Sequence, residues 1–396
     1  MEKQIVGICI SLLLLMGGGK VYAAEYDETI GGESVDETVA TYYDSFYDSV
    51  GMESLEEELA GVNRRYGMGA EISFSQIYQL LLEGNVNDAV EMALEGFCQS
   101  IVGEITMNKE IIGKLLVLVI VAAVFHNYSS VFKFSYVGEQ GFYITYLMIA
   151  VLLMQSFTIA YELAEQTVLY LKEIMDCLLP AFYLSIILCS GLTTSQMVNS
   201  MFLGMLSFVE RVFLMVILPV IRIYFLIIIL NQINSKDRFS KLAGLLKQGI
   251  QFVLKGIVAG IIGLNIMKSM LVPVYENAKY SVLQKGLSVI PGGASLSGLS
   301  TILLGAGVLI KNSIGITAVI VLLVLGGAPI LKLFCFYITY RVILALIQPV
   351  SDKRILAGIQ GAADSTGILL RATTTSMVLE VLSIAIVILT TNVKLQ

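Results

Sequence analysis

The chain has 396 residues, 56% of them hydrophobic and only 14% charged, with a mean hydropathy of +0.81 and a net charge of −6. Soluble domains carry about 25% charged residues, so a water-soluble globule of this length is excluded, because its surface could not be wetted. The apolar residues come in blocks parted by short charged stretches, as in a protein that crosses a bilayer several times, and no basic footprint invites nucleic acid.

The N-terminus reads MEKQ, then IVGICISLLLLM, then GGGKVYAAEYDE. A charged start, a short apolar run and small residues at Val21, Ala23 and Ala24 predict a signal peptide over 1–24. The apolar run is too short for a span, which needs about 20 residues. From Glu25 to Glu58 there are twelve acidic residues and no Lys or Arg. That bias fits export, and the segment 25–70 is expected to be acidic and loosely ordered. Helical periodicity marks 71–110. Phe74, Ile77, Leu80 and Leu81 share one face. Val90, Ala93, Leu94, Phe97, Ile101 and Ile105 extend the pattern through a second helix, which Asn87 or Asp88 can cap. The expectation is a small exported helical region just outside the membrane.

The polytopic membrane domain is read as 111–396. Spans are expected at 111–128, 141–160 and 177–192, the last with Pro180 near its start. Residues 197–233 would reach roughly 55 Å as one straight helix, against a hydrocarbon core of roughly 30 Å. Pro219 divides them, which predicts two spans joined by a tight turn, or one span and a re-entrant half-helix. Lys236, Arg238, Lys241 and Lys247 then form the strongest basic cluster, placed in the cytoplasm by the positive-inside rule. A span at 250–271 leads past Pro273 into a glycine-rich stretch around Pro291, with a re-entrant segment near 286–307. Spans at 313–331 and 333–350 meet near Pro329, and a last span covers 375–392. The fold class is therefore all-α, a membrane helix bundle of about seven to eight spans. Pro180, Pro219, Pro273, Pro291 and Pro329 are candidate helix breaks. An exported N-terminus and a cytoplasmic basic loop require an odd number of crossings between them. Two crossings within 197–233 make that number five, and Lys353, Arg354 and Arg371 then fall outside.

The one histidine, His126, closes the first span and is read as interfacial. There is no HExxH, GxSxG or P-loop, and no CxxC among the five cysteines. No enzyme, cofactor or metal site is expected. Charge within apolar segments is the remaining signal, because a charged group in lipid is costly. Glu210, Arg211 and Arg222 are candidates for a pore or subunit contact, set against simple snorkelling near Pro219. Arg211 and Arg222 are eleven residues apart, close to one face of a regular helix. Lys311 with Asn312 is a second candidate, and Gly256 with Gly260 forms a GxxxG.

Four stretches carry a family resemblance: LLPAFYLSIILCSGLTTSQ at 178–196, LKGIVAGIIGLNIMKSMLVPVYENAKYSVLQKGLSVIPG at 254–292, LLGAGVLIKNSIGI at 303–316, and APILKLFCFYITYRVILALIQPVSDKRILAGIQGAADSTGILL at 328–370. With the signal and the acidic exported segment, they make the sequence resemble the stage III sporulation protein AE family over most of the chain after about residue 70. The resemblance implies a membrane subunit of the channel or secretion complex that links mother cell and forespore after engulfment. It implies a multi-pass protein of the mother-cell (outer forespore) membrane. Its partners would be other membrane subunits of that complex, a cytoplasmic ATPase and a forespore protein. No catalytic residue is carried over. Two other functions stay open: a self-contained solute permease with broken helices at Pro219 and 286–307, and a membrane scaffold without a conduit.

Overall fold

The structure, a computed structural model, describes residues 51–66, 73–107, 113, 117, 120, 124, 135–190, 204, 205, 207–233, 239–287, 293–348 and 353–390. The signal peptide read at 1–24, His126 and Pro291 lie outside the described residues. So does the span read at 111–128, apart from Gly113, Val117, Ile120 and Val124, which are helical. Among the described residues every regular element is a helix, and five helices are long and apolar enough to cross a membrane.

Three short helices come first. α1 (Met52–Tyr66) lies inside the stretch read as loosely ordered. It forms because Leu55, Leu59 and Val62 recur at helical spacing and bury one side, while Arg64 and Arg65 favour the negative end of the helix dipole. α2 (Phe74–Leu82) is capped by Ser73, whose Oγ accepts from the Gln76 amide at 3.3 Å. It buries Phe74, Ile77, Tyr78 and Leu81. Gly84, at φ +80°, turns the chain into α3 (Val86–Met107). α3 starts before Asn87 and Asp88, so neither is its cap; Asp88 sits in the first turn. Its inward face at this end is Ala89 rather than the larger residues, and Val90 and Leu94 of the expected stripe face outward. Small residues let α3 lie closer to its neighbours than a Val–Leu stripe would.

The remaining helices are long. α4 is Ser135–Ser190, α5 is Ser207–Ile233, α6 is Ser240–Leu287, α7 is Gly293–Ile347 and α8 is Lys353–Thr390. α4, at 56 residues, would extend about 84 Å. The sequence reading breaks these elements where the structure does not. α4 passes through Pro180 and joins the spans read at 141–160 and 177–192, and α7 passes through Pro329 and joins those read at 313–331 and 333–350. Each proline forfeits a single i→i−4 bond, which packing of neighbouring helices offsets. α6 likewise continues past Pro273, and the glycine-rich stretch is helical from Gly293 onward, where α7 starts. α5 is a single helix through Pro219. A π turn, Phe213–Ile217, lies directly before that proline, and the Leu218 amide donates to the Phe213 carbonyl five residues back. The wider turn makes room where a regular helix would press the proline ring against the preceding turn.

Two glycines fix the register. A Cβ on Gly326 of α7 would meet both Leu171 of α4, at 2.5 Å, and Met377 of α8, at 3.2 Å. A Cβ on Gly315 would meet Phe182 and Ile388. Eleven residues along α7 thus match eleven along α4 and α8 in the opposite sense. α4 and α8 are parallel, and α7 runs antiparallel between them. α5 runs antiparallel to α4, since Tyr161 meets Arg222 while Lys172 meets Glu210. α6 starts beside the end of α5, where the Phe239 amide donates to Asn231 Oδ1 at 2.9 Å, and rises along α8, where Lys247 pairs with Asp364 at 3.0 Å.

The result is a bundle with two unlike ends. One core joins α1, α2 and Ala89 of α3 to residues 170–186 of α4, 310–325 of α7 and 377–388 of α8. A second core joins residues 146–168 of α4 to α5, α6, the end of α7 and the start of α8. We refer to these as the capped end and the basic end. At the basic end lie Lys241, Lys353 and Arg354, together. Lys353 and Arg354, at the start of α8, therefore lie toward the same end of the bundle as Lys241 at the start of α6. Arg371 is 18 residues further along α8, about 27 Å away.

Candidate functional site

The long helices are apolar, so polar groups buried among them are the places to look for function. Among the described residues α8 carries the largest share of these. Thr366, Thr373, Ser376, Glu380 and Ser383 are all buried. Their spacing returns to one helix face. This seam runs about 26 Å, from 366 to 383, through the middle of the bundle. Several of its hydroxyls turn back on their own helix. Thr373 donates to the Leu369 carbonyl at 3.1 Å and Ser383 to Leu379 at 2.6 Å. Among the described residues, Thr366 Oγ1, Ser376 Oγ and Glu380 Oε2 are buried without a hydrogen-bond partner.

Glu380 is 5% exposed. It lies at the level where the two cores meet, within electrostatic reach of Asp176 on α4 and Glu210 on α5. Lys172 joins that layer, 3.2 Å from Asp176 and 4.0 Å from Glu210. One turn away, Glu173 is turned toward the N-terminal helices. It accepts from Arg65 Nη1 at 2.7 Å and from the Tyr66 hydroxyl at 2.8 Å. Burial, with the Glu173 carboxylate beside it, pushes the Tyr66 hydroxyl up to about 12. Tyr170 donates to Asn63 Oδ1 at 3.1 Å, so one face of α1 is clasped to α4.

A second polar group lies nearer the basic end. Asp364 accepts from Lys247 of α6 at 3.0 Å and from Arg341 of α7 at 3.5 Å. The Arg341 guanidinium also sits 5.3 Å from the Tyr337 ring centre. Tyr340 donates to Ser156 at 2.6 Å and Tyr146 to the Ile229 carbonyl at 2.8 Å, fastening α7 to α4 and α4 to α5. Among the described residues no cluster of His, Cys, Asp and Glu could hold a metal ion.

The candidates read from the sequence do not converge. Glu210 joins the layer with Lys172. Arg222 lies over the Tyr161 ring at 5.3 Å, and Arg211 is exposed. The π turn falls between the two arginines and shifts the helical phase, so the same-face argument for Arg211 and Arg222 fails. Lys311 is fully buried and donates to the Ile388 carbonyl at 3.3 Å. Ile388 follows Glu380 by eight residues, about 12 Å along the axis, so Lys311 belongs to a different level. Asn312 is half-buried, with Oδ1 unpartnered among the described residues. The sequence reading missed Glu380, although a lone carboxylate inside its last span was visible. It also missed the Lys247–Asp364–Arg341 group, whose members come from three distant segments.

Known proteins place the chain. The sequence profile described as Stage III sporulation protein AE matches residues 72–391, which include α2 and all five long helices. A curated relative, Stage III sporulation protein AE of Bacillus subtilis (strain 168), is 19% identical over 298 residues, covering 74% of each chain. No solved structure matches. The match spans well over half the chain and takes in both polar groups. This membrane protein belongs to the stage III sporulation protein AE family, which gives it a role in sporulation.

Proposed function

We propose that the chain is a membrane subunit of the mother cell–forespore channel or secretion complex that supports the spore after engulfment. The family match across α2–α8 carries this reading. The protein acts through assembly and not through catalysis, with other membrane subunits, a cytoplasmic ATPase and a forespore protein as partners, in the mother-cell (outer forespore) membrane.

The architecture supports a definite orientation. Large outward-facing apolar side chains run from Ile144 to Ile159 on α4 and from Phe334 to Leu346 on α7, and recur on α5 and α6. On α4 this belt is about 22 Å tall, of the order of a roughly 30 Å hydrocarbon core. Lys241, Lys353 and Arg354 lie toward one edge of it, which the positive-inside rule assigns to the cytoplasm. The capped end then faces the exported side, in keeping with an N-terminal signal at 1–24 and the acidic segment after it. Counting the apolar stretch 111–128 with the five described helices gives six crossings. Three of them precede the loop at 234–238 and five precede the loop at 349–352. Both counts are odd, so one exported N-terminus puts both loops in the cytoplasm.

Deleting the gene tests the reading: sporulation should stop after engulfment and forespore gene expression should fail late. A normal spore yield would overturn it. The buried seam on α8 favours a second reading, a self-contained solute permease. Purified protein in liposomes would then move a solute with no partner present.

A further inference from the structure

We propose that Glu380 is a proton-binding site at the boundary between the two halves of the bundle, its proton held in the layer formed with Asp176, Glu210 and Lys172. The inference does not depend on membership of any complex.

Glu380 of α8 lies within electrostatic reach of two further carboxylates, Asp176 of α4 and Glu210 of α5. Lys172 is engaged with Asp176 and Glu210. Glu380 is almost wholly buried, and Oε2 has no donor among the described residues. A bare carboxylate in that position would be a buried charge without hydrogen bonds, beside two like charges, which is among the most unfavourable arrangements a protein interior can hold. The other elements packed here do not relieve it. Glu173 is occupied by Arg65 and Tyr66 of α1. By the register at Gly326, α7 brings Leu322 and Leu323 opposite Glu380, which offer no charge. No metal-binding cluster is present among the described residues to supply a cation. Among the described residues, a proton is the remaining counter-charge.

The Asp176 side chain, within electrostatic reach of the buried carboxyl, is itself 44% exposed. Loss of the proton adds one negative charge where α8 packs on α4 and α5. Proton occupancy at Glu380 therefore favours the close packing of these helices, and release disfavours it.

Infrared spectroscopy of the full-length protein in lipid nanodiscs at pH 7 tests this. A protonated-carboxyl C=O band is expected that shifts in D2O, disappears in Glu380→Gln, moves in frequency in Glu380→Asp and is unchanged in Glu173→Gln. Absence of the band in the wild type, or its survival in a folded Glu380→Gln protein, overturns the proposal. Should Glu380→Gln fail to fold, Glu380→Asp decides, since an unmoved band assigns the proton elsewhere.

Discussion

The two ends of the bundle share three helices, α4, α7 and α8, yet they satisfy their apolar surface in different ways. Toward the basic end, α4 and α7 turn Ile144, Leu147, Val151, Phe334 and Val342 outward, and α6 exposes Phe252. Toward the capped end, the outward apolar side chains of α4 and α7 cease, and their residues are enclosed by α1, α2 and α8. Of the best apolar window in α7, 78% is buried, against 17% in α6. Both helices are apolar enough to span a membrane. Hydropathy therefore reports that a residue avoids water, and only the neighbours show whether lipid or protein replaces it.

The comparison breaks most visibly if the cap is removed. Ile77 is fully buried where α2 meets α7. Ile77→Asp places an unpaired charge there, at a cost of about 3–5 kcal/mol. The expected outcome is a detached α1–α3 region, rapid proteolysis within 52–107 and aggregation through the uncovered surface. Leu245→Asp, on the outward face of α6, should leave that proteolysis pattern unchanged. If Ile77→Asp is cut no faster than wild type, the cap is not what encloses the capped end.

A smaller effect is expected where the halves are locked in register. Gly326→Leu drives a side chain into Leu171 and Met377. Overpacking of this kind costs about 1–3 kcal/mol, measured as a lower melting temperature in detergent. Leu171→Ala in the same chain should recover part of the loss. A pair of changes that simply add would show that the two residues do not meet.

Much of this was legible in the sequence, and the reason for the rest is physical. Apolar blocks announce helices, and the periodicity at Phe74, Ile77 and Leu81 gave α2 its buried face. Proline misled the reading of element length, since Pro180, Pro219 and Pro329 all lie within continuous helices. A buried helix tolerates a lost hydrogen bond that an isolated one does not, and that tolerance depends on neighbours absent from a local window. The odd-crossing argument was sound in form, but it counted a helix pair at Pro219 that is one helix with a π turn. Glu210 is a charge that the sequence marks for explanation. Its partner Lys172 lies 38 residues earlier on another helix, and no local pattern links the two.

At the basic end, the Lys247–Asp364–Arg341 group should matter modestly. All three side chains are partly exposed, so solvent screening limits their contribution. Asp364→Asn is expected to destabilise the protein by about 1 kcal/mol or less, with the loss shrinking in high salt. If it instead leaves stability untouched while impairing spore formation, the group serves a partner or a lipid headgroup and not the fold.

The smallest effect is expected at the clasp between α1 and α4, and it has a pH signature. Tyr66→Phe removes one hydrogen bond to Glu173, worth about 1 kcal/mol or less at this half-exposed position. The folded-state value of the Tyr66 hydroxyl lies near 12, above the ordinary value of about 10. Between these two, the unfolded chain has released its proton and the folded chain has not, so stability falls as pH rises. The clasp is intact below about pH 10 and is lost as pH passes through 12. Hydrogen exchange in α1 should therefore speed up across that window in the wild type relative to Tyr66→Phe, while α5 and α6 respond alike in both. An equal response in the two proteins would show that α1 is held by its apolar face alone, through Leu55, Leu59 and Val62, and that the polar clasp only orients it.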